Sequence, residues 1–206
     1  MISQMEFVRR VDVQAETIER YVREGKLVPD LVVPMSEHRT FKYFREESLL
    51  KYADQYGWTL IDDTNRKDLF LDMIRQMDMS YSYKPVLIKA ILLYADDKGR
   101  VKLEDIVSYF KFFYEDRRAS GLFVEKKNSI FAKGGYTDKE AERNILSNPF
   151  KRFEDMQMLR HTKTLGIIQV EETVWKHLTK DERDEIGRIC DDKLRHYYFA
   201  QEGKTV

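Results

Sequence analysis

The side chains near the N-terminus whose chemistry is most specific are those suited to reading DNA. Thr17, Arg20 and Arg23 lie within one short segment, and Gln14 precedes them. An arginine can donate two hydrogen bonds to guanine, a glutamine can pair with adenine, and a threonine can contact a phosphate or the methyl group of thymine. These residue types predict a helix that contacts base edges.

The apolar pattern predicts two short helices that position these side chains. Ser3 is a candidate N-cap of the first helix. In the second helix, Ala15, Ile18 and Val22 recur at helical spacing and form an apolar face opposite Arg20. The polar side chains are therefore expected to point away from the core.

A two-stranded hairpin is predicted to follow the second helix. Segments 27–34 and 40–44 are rich in β-branched and aromatic residues and flank a polar stretch. Arg39 then lies at the hairpin tip and Lys42 on the second strand, where a wing would meet backbone phosphate. A third helix is expected after the hairpin.

The run 17–27, TIERYVREGKL, resembles the recognition helix and wing entry of the MerR and excisionase-like families. The run 39–44, RTFKYF, is similar to their returning wing strand. The resemblance covers roughly the first quarter of the chain and implies a winged helix-turn-helix that binds double-stranded DNA. The full set of predicted contact residues is Gln14, Thr17, Arg20, Tyr21, Arg23, Lys26, Arg39 and Lys42.

The region from Ser80 onward carries a second resemblance. The runs 82–92, SYKPVLIKAIL, and 144–153, NILSNPFKRF, together with 99–101, are similar to C-terminal accessory segments of bacterial superfamily-two helicases and restriction-associated proteins. This resemblance implies a helicase or nuclease partner. The sequence holds no Walker-type glycine-rich loop, so the chain is not expected to be the motor itself.

A basic stretch within this region suggests a secondary DNA contact. Residues 117–163 hold eleven lysines and arginines against six acidic residues. Arg117, Arg118, Lys151 and Arg152 are its candidate contacts. The alternative, which we prefer on the sequence, is that these charges form a solvated face while the neighbouring Phe150 and Phe153 pack in the core.

Catalytic patterns are weak. Asp116, Glu125 and Lys127 have a spacing reminiscent of a metal-dependent nuclease, but Asp116 falls at a predicted helix end. His38, His161, His177 and His196 lack the spacing of zinc ligands. Cys190 is expected to be a small core residue. We therefore predict no catalytic residue, no metal and no cofactor.

The formal net charge is zero, with 36 basic and 36 acidic side chains. The chain as a whole therefore has no excess charge that would attract it to DNA or to a membrane surface. A single cysteine, no signal-peptide pattern and no apolar run long enough to span a bilayer predict a cytoplasmic protein without a membrane partner.

We predict a mainly α fold, with an N-terminal winged helix-turn-helix and a helical C-terminal domain that contains a short β element. The expected divisions are a DNA-binding domain at 1–60, a connector helix at 61–79 and a partner or DNA-contact domain at 80–206. The predicted function is sequence-specific binding of double-stranded DNA, as a transcriptional regulator or as the targeting module of a mobile-element or defence system. The helical second domain would mediate homodimerisation, docking of a partner or further DNA contact. The alternative is a protein-interaction adaptor for a helicase or nuclease complex.

Overall fold

The computed structural model describes residues 1–36 and 39–203, with the side chain of Arg39 excepted. The described chain is mainly helical and contains small antiparallel sheets, which agrees with the predicted class. Residues 37–38, next to the predicted hairpin tip at Arg39, and the last residues, 204–206, lie outside the described residues. The chain forms two compact units, Met1–Arg66 with Asp155–Gln157, and Lys67–Glu154 with Met158–Val206.

The first unit combines three helices with a three-stranded sheet in the order β1-β3-β2. Its elements are β1 (Ile2–Ser3), α1 (Gln4–Arg9), α2 (Ala15–Arg23), β2 (Leu31–Ser36), β3 (Arg39–Phe44) and α3 (Glu46–Tyr56). All strand pairs are antiparallel, and Leu31 lies opposite Tyr43. The predicted hairpin is therefore present in the described residues.

Local signals explain where the helices of this unit begin and end. The Ser3 hydroxyl accepts a hydrogen bond from the backbone N–H of Glu6 at 3.1 Å, so the predicted N-cap is confirmed. Gly25, just after α2, has a φ of +71°, which glycine adopts without strain.

Phe7, Ile18, Leu27 and Phe44 are fully buried and form the centre of the core of this unit.

The second unit is built mainly from helices and holds a three-stranded sheet in the order β4-β6-β5. Its first helix is α4 (Arg66–Arg75). The elements after it, in chain order, are α5 (Tyr83–Tyr94), β4 (Arg100–Lys102), α6 (Leu103–Ala119), α7 (Ile130–Lys133), α8 (Asp138–Ile145), a π-helix (Leu146–Phe150), α9 (Lys151–Asp155), β5 (Leu159–Thr162), β6 (Ile167–Val170), α10 (Glu172–His177) and α11 (Lys180–Glu202).

The β content of this unit differs from the sequence expectation. One short β element was expected, whereas the unit contains a three-stranded sheet; its strand β6 ends at Val170, and α10 begins at Glu172. The strands β4 and β5 were missed because three or four residues are too few to show an alternating pattern. Their partner β6 supplies the hydrogen bonds that stabilise them.

Three helices form the centre of the second unit. The helix α5 packs against both α6 and α11. Leu87, Phe110, Tyr114 and Cys190 are fully buried there. None of the helices in the described residues combines the length and the apolar character needed to cross a membrane.

Candidate nucleic-acid interface

The solvent-facing side of α2 carries three of the eight predicted contact residues. Arg20 and Arg23 are exposed, Thr17 is half-buried, and Gln14 is exposed immediately before the helix. Ile18, on the opposite side, is fully buried. Burial of the apolar face thus fixes the rotation of α2 and turns the polar side chains outward.

The two arginines of α2 differ from Lys26 in their pairing. Within the described part of the chain, neither Arg20 nor Arg23 forms an ion pair, although the Arg20 guanidinium lies 5.5 Å from the centroid of the Tyr21 ring. Lys26 forms an ion pair with Glu24 at 2.7 Å. The hydrogen bond from Lys26 lowers the pKa of the Glu24 carboxyl, and the charges of Arg20 and Arg23 lower it further. The arginines are therefore better placed than Lys26 to bind an external anion.

An aromatic cluster holds the end of α2 against α3. The Tyr56 ring stacks on Trp58 at a centroid distance of 5.0 Å, and Tyr21 meets Tyr56 edge-on at the same distance. The Tyr56 hydroxyl donates a hydrogen bond to the backbone carbonyl of Lys26 at 3.0 Å. Tyr21, predicted as a DNA contact, is half-buried in this packing.

The sequence reasoning missed this cluster. Tyr52 and Tyr56 lie one helical turn apart on α3, and Trp58 follows at the end of that helix. This spacing was a usable signal, but it does not show which helix the rings would meet. The contact with Tyr21 depends on tertiary packing.

The hairpin is more apolar than a phosphate-binding wing was expected to be. Lys42 is half-buried on β3 opposite Val32. On β2, Leu31, Val32 and Met35 are exposed. The predicted contact through the Arg39 side chain lies outside the described residues.

The predicted secondary contact at Arg117 is engaged within the chain. The Arg117 guanidinium stacks on the Tyr198 ring at 3.3 Å from its centroid, and its Nε donates to the backbone carbonyl of Phe123 at 2.8 Å. It also forms an ion pair with Glu202, and the side chain is only 16% exposed. These contacts hold the Arg117 side chain against α11 and against the loop that follows α6.

The remaining secondary candidates are also in contact with neighbours. Arg118 pairs with Glu115 and donates to the backbone carbonyl of Phe131. The Nζ of Lys151 lies 3.4 Å from Oε2 of Glu154, and Arg152 is exposed on α9. Phe150 and Phe153 are buried, as expected if the charges of this stretch form a solvated face and the two rings pack in the core.

The three nuclease-like residues differ in their exposure to solvent. Glu125 is 4% exposed, and one of its oxygens accepts hydrogen bonds from the backbone N–H and the hydroxyl of Ser82 at 2.8 and 2.6 Å. The other oxygen accepts from the backbone N–H of Lys126 and from the Tyr197 hydroxyl. Asp116 and Lys127 are exposed. Both oxygens of the Glu125 carboxylate therefore accept hydrogen bonds from other groups of the protein.

The other candidates for chemistry are isolated. Burial raises the pKa of the Cys190 thiol to about 12, whereas His196 is exposed. Across the described ranges, no group of three His, Cys, Asp or Glu side chains is placed to hold a metal ion.

Comparison with known proteins finds no matching family model, no similar curated protein and no similar solved structure.

Proposed function

We propose that the first unit is a winged helix-turn-helix that binds double-stranded DNA, with α2 in the major groove and the hairpin β2–β3 as the wing. The chain would act without catalysis, as a transcriptional regulator or as a targeting module. The observation that carries the proposal is the exposure of Arg20 and Arg23 on the outer face of α2, with no carboxylate partner among the described residues.

In the proposed complex the candidate residues have different roles. Arg20 lies opposite the buried Ile18, so it points directly away from the core and would reach a guanine edge. Thr17 lies one turn earlier on the same side. Arg23, exposed at the end of α2, and Lys42, on the strand β3 of the wing, would contact backbone phosphate, which orients the protein without reading sequence.

The charge of this unit implies modest affinity. Residues 1–60 contain ten acidic and nine basic side chains, and Glu16 and Glu19 are exposed on α2 beside the arginines. Acidic side chains repel the phosphate backbone, which supplies most non-specific affinity. A single copy is therefore expected to bind weakly, and a second DNA-binding unit would strengthen the complex.

Selection of binding sites from a random duplex library with the full chain tests the proposal. We expect an enriched motif, and we expect the Arg20→Ala variant to lose that enrichment while its circular dichroism and melting temperature are unchanged. Arg143→Ala, which removes an exposed arginine of α8, is the matched control and should retain the motif. Absence of binding at micromolar protein in low salt would refute the proposal.

An adaptor function is the second candidate, and the hairpin favours it. Exposed Leu31, Val32 and Met35 on β2 are suited to contact with another protein. A helicase or nuclease subunit would then be the partner. In this case the chain would not enrich a DNA motif, and Arg20→Ala would have no effect in the selection.

A further inference from the structure

The order of elements in the first unit recurs in the second unit. In the first unit, the strand β1 leads directly into the helix α1, and the helix α2, the hairpin β2–β3 and the helix α3 follow. In the second unit, β4 leads directly into α6, and the helical run 138–155, the hairpin β5–β6 and α10 follow. The run 138–155 consists of α8, the π-helix and α9, and the short helix α7 precedes it.

The two sheets also share their strand order. In each sheet the first strand along the chain pairs with the second strand of the hairpin, which gives the orders β1-β3-β2 and β4-β6-β5. Every pairing is antiparallel. In each unit a helix begins two residues after the hairpin ends, at Glu46 after Phe44 and at Glu172 after Val170. The arrangement that we propose as a winged helix-turn-helix in the first unit therefore occurs twice in the chain.

The helical run 138–155 takes the position of α2 in this comparison. Its α8 segment packs against α6, and its π-helix packs against α5. The buried side chains that form its inner face are Ala141, Ile145, Phe150 and Phe153. The Phe150 ring also meets the His161 ring of β5 edge-on, at a centroid distance of 6.1 Å. This contact holds the run beside the hairpin β5–β6.

Exposed basic side chains flank this ring contact. They are Lys151 and Arg152 on α9, Arg160 on β5 and Lys163 in the turn between the two strands. The acidic residues of 146–170 are Glu154 and Asp155, and both are half-buried. In the described part of the chain, neither Arg160 nor Lys163 forms an ion pair. We refer to the four basic residues as the helix–hairpin surface.

The polar side chains next to this surface are bonded within their own helix. The Asn148 amide nitrogen donates to the backbone carbonyl of Asn144 at 3.0 Å, and the Ser147 hydroxyl donates to the same carbonyl at 3.3 Å. An asparagine that reads adenine uses that amide nitrogen. The helix–hairpin surface therefore offers cations rather than base-reading amides, and backbone phosphate is the group that it fits.

We propose that the helix–hairpin surface binds the phosphate backbone of double-stranded DNA, so that the chain carries two DNA-binding units. The choice of duplex DNA over another polyanion rests on the function proposed for the first unit, because two units bound to one ligand reinforce each other. The second unit supplies sequence-independent affinity, which the ten acidic residues of 1–60 reduce in the first unit.

The contact is confined to α9 and the hairpin. The start of the run 138–155 carries exposed acidic side chains, which repel phosphate and lie at Asp138, Glu140 and Glu142. Arg143 lies directly beside them and is therefore not part of the helix–hairpin surface. The basic end of the run, not its start, meets the DNA.

Fluorescence anisotropy of the full chain on a random-sequence duplex, over a salt series, tests the inference. Arg160→Gln/Lys163→Gln should reduce the slope of log Kd against log salt by about 1.8, because this variant removes two phosphate contacts. Lys151→Gln/Arg152→Gln should have a similar effect. All four side chains are exposed, so the melting temperatures of both variants should match that of the original chain.

The matched control is Lys176→Gln/Lys180→Gln. It removes two exposed lysines of α10 and α11, which follow the end of β6 that is farther from the hairpin turn. The change in net charge is the same as in the other glutamine variants, so the control separates a local contact from a general charge effect. Its slope should equal that of the original chain.

The two units can be tested separately within the same chain. Arg20→Ala should lose the preference for the selected motif and keep its affinity for random DNA, whereas the glutamine variants should keep the preference. If no motif is enriched but Arg160→Gln/Lys163→Gln still lowers the slope, the proposed function fails and this inference stands. Unchanged slopes in both variants of the helix–hairpin surface, an equal loss in the control, or equally tight binding to double-stranded RNA of the same length would overturn it.

Discussion

Ser82 donates two hydrogen bonds to one oxygen of Glu125, from its backbone N–H at 2.8 Å and from its hydroxyl at 2.6 Å. The same hydroxyl lies 2.7 Å from the Tyr114 hydroxyl and accepts a hydrogen bond from the Tyr198 hydroxyl at 3.0 Å. Burial raises the pKa of Tyr114 well above its ordinary value, so this hydroxyl stays protonated as a donor. The cluster ties the start of α5 to α6, to the loop after α6 and to α11.

Removal of the Glu125 carboxylate should destabilise the second unit strongly. We expect Glu125→Ala to lower the free energy of unfolding by roughly 3 kcal/mol or more, because it leaves several buried donors without an acceptor. Urea unfolding followed by circular dichroism measures the change. Asp116→Ala, at an exposed residue of the same nuclease-like pattern, should change the stability by less than about 0.5 kcal/mol. Equal stability of the two variants would contradict this role for Glu125.

The two kinds of DNA contact should differ in their salt dependence. If Lys42 binds phosphate, Lys42→Ala should weaken binding to all sequences and reduce the slope of log Kd against log salt by about 0.9. Arg20→Ala should instead reduce the difference between the selected site and random DNA. Fluorescence anisotropy with both duplexes across a salt series measures both quantities. Lys51→Ala, at an exposed lysine of α3, serves as the control. An unchanged slope for Lys42→Ala would rule out a phosphate contact at that residue.

Glu182 should contribute stability that disappears in acid. It accepts a hydrogen bond from Lys67 at 2.7 Å and one from the backbone N–H of Thr179 at 2.8 Å, in the capping box of α11. These contacts, the one with Lys67 foremost, lower its pKa below 4.5. A lowered pKa stabilises the fold above the unfolded-state pKa, and the contribution is lost as the pH falls through the folded-state pKa.

Glu182→Gln should therefore cost about 1 kcal/mol near pH 7, and the difference from the original chain should narrow below about pH 4. Urea unfolding at a series of pH values measures it. Glu142→Gln, at an exposed residue of α8, should show no such pH-dependent difference. A constant difference at all pH values would mean that the charge of Glu182 is not the cause.

Two glycines with similar backbone angles allow a matched test of packing. Gly99 has a φ of +72°, and a Cβ there would lie 2.6 Å from Cγ of Trp175. Gly166 has a φ of +61°, and nothing described lies within 4 Å of a Cβ at that position. Gly166→Ala should cost only the backbone strain, roughly 1 kcal/mol, whereas Gly99→Ala should cost about 2 kcal/mol more because the indole ring must move. Similar melting temperatures for the two variants would contradict the close contact.

Features that depend on neighbours a few residues apart were predictable from the sequence. The N-cap at Ser3 and the capping box at Thr137 and Glu140 each involve residues three positions apart. The outward direction of Arg20 follows from the apolar face that contains Ile18, since the helical period relates the two positions. The main helices and the polar face of α2 were therefore determined by the sequence itself.

The fate of individual charges was decided by tertiary structure. Arg117 was expected to belong to a basic stretch, but its ion-pair partner Glu202 lies 85 positions away. Ser82 and Glu125 are 43 positions apart, and no spacing rule connects them. Because such contacts form only when separate helices pack together, the sequence could define which side chains carry chemistry, whereas the fold determined which of them remain exposed to a partner.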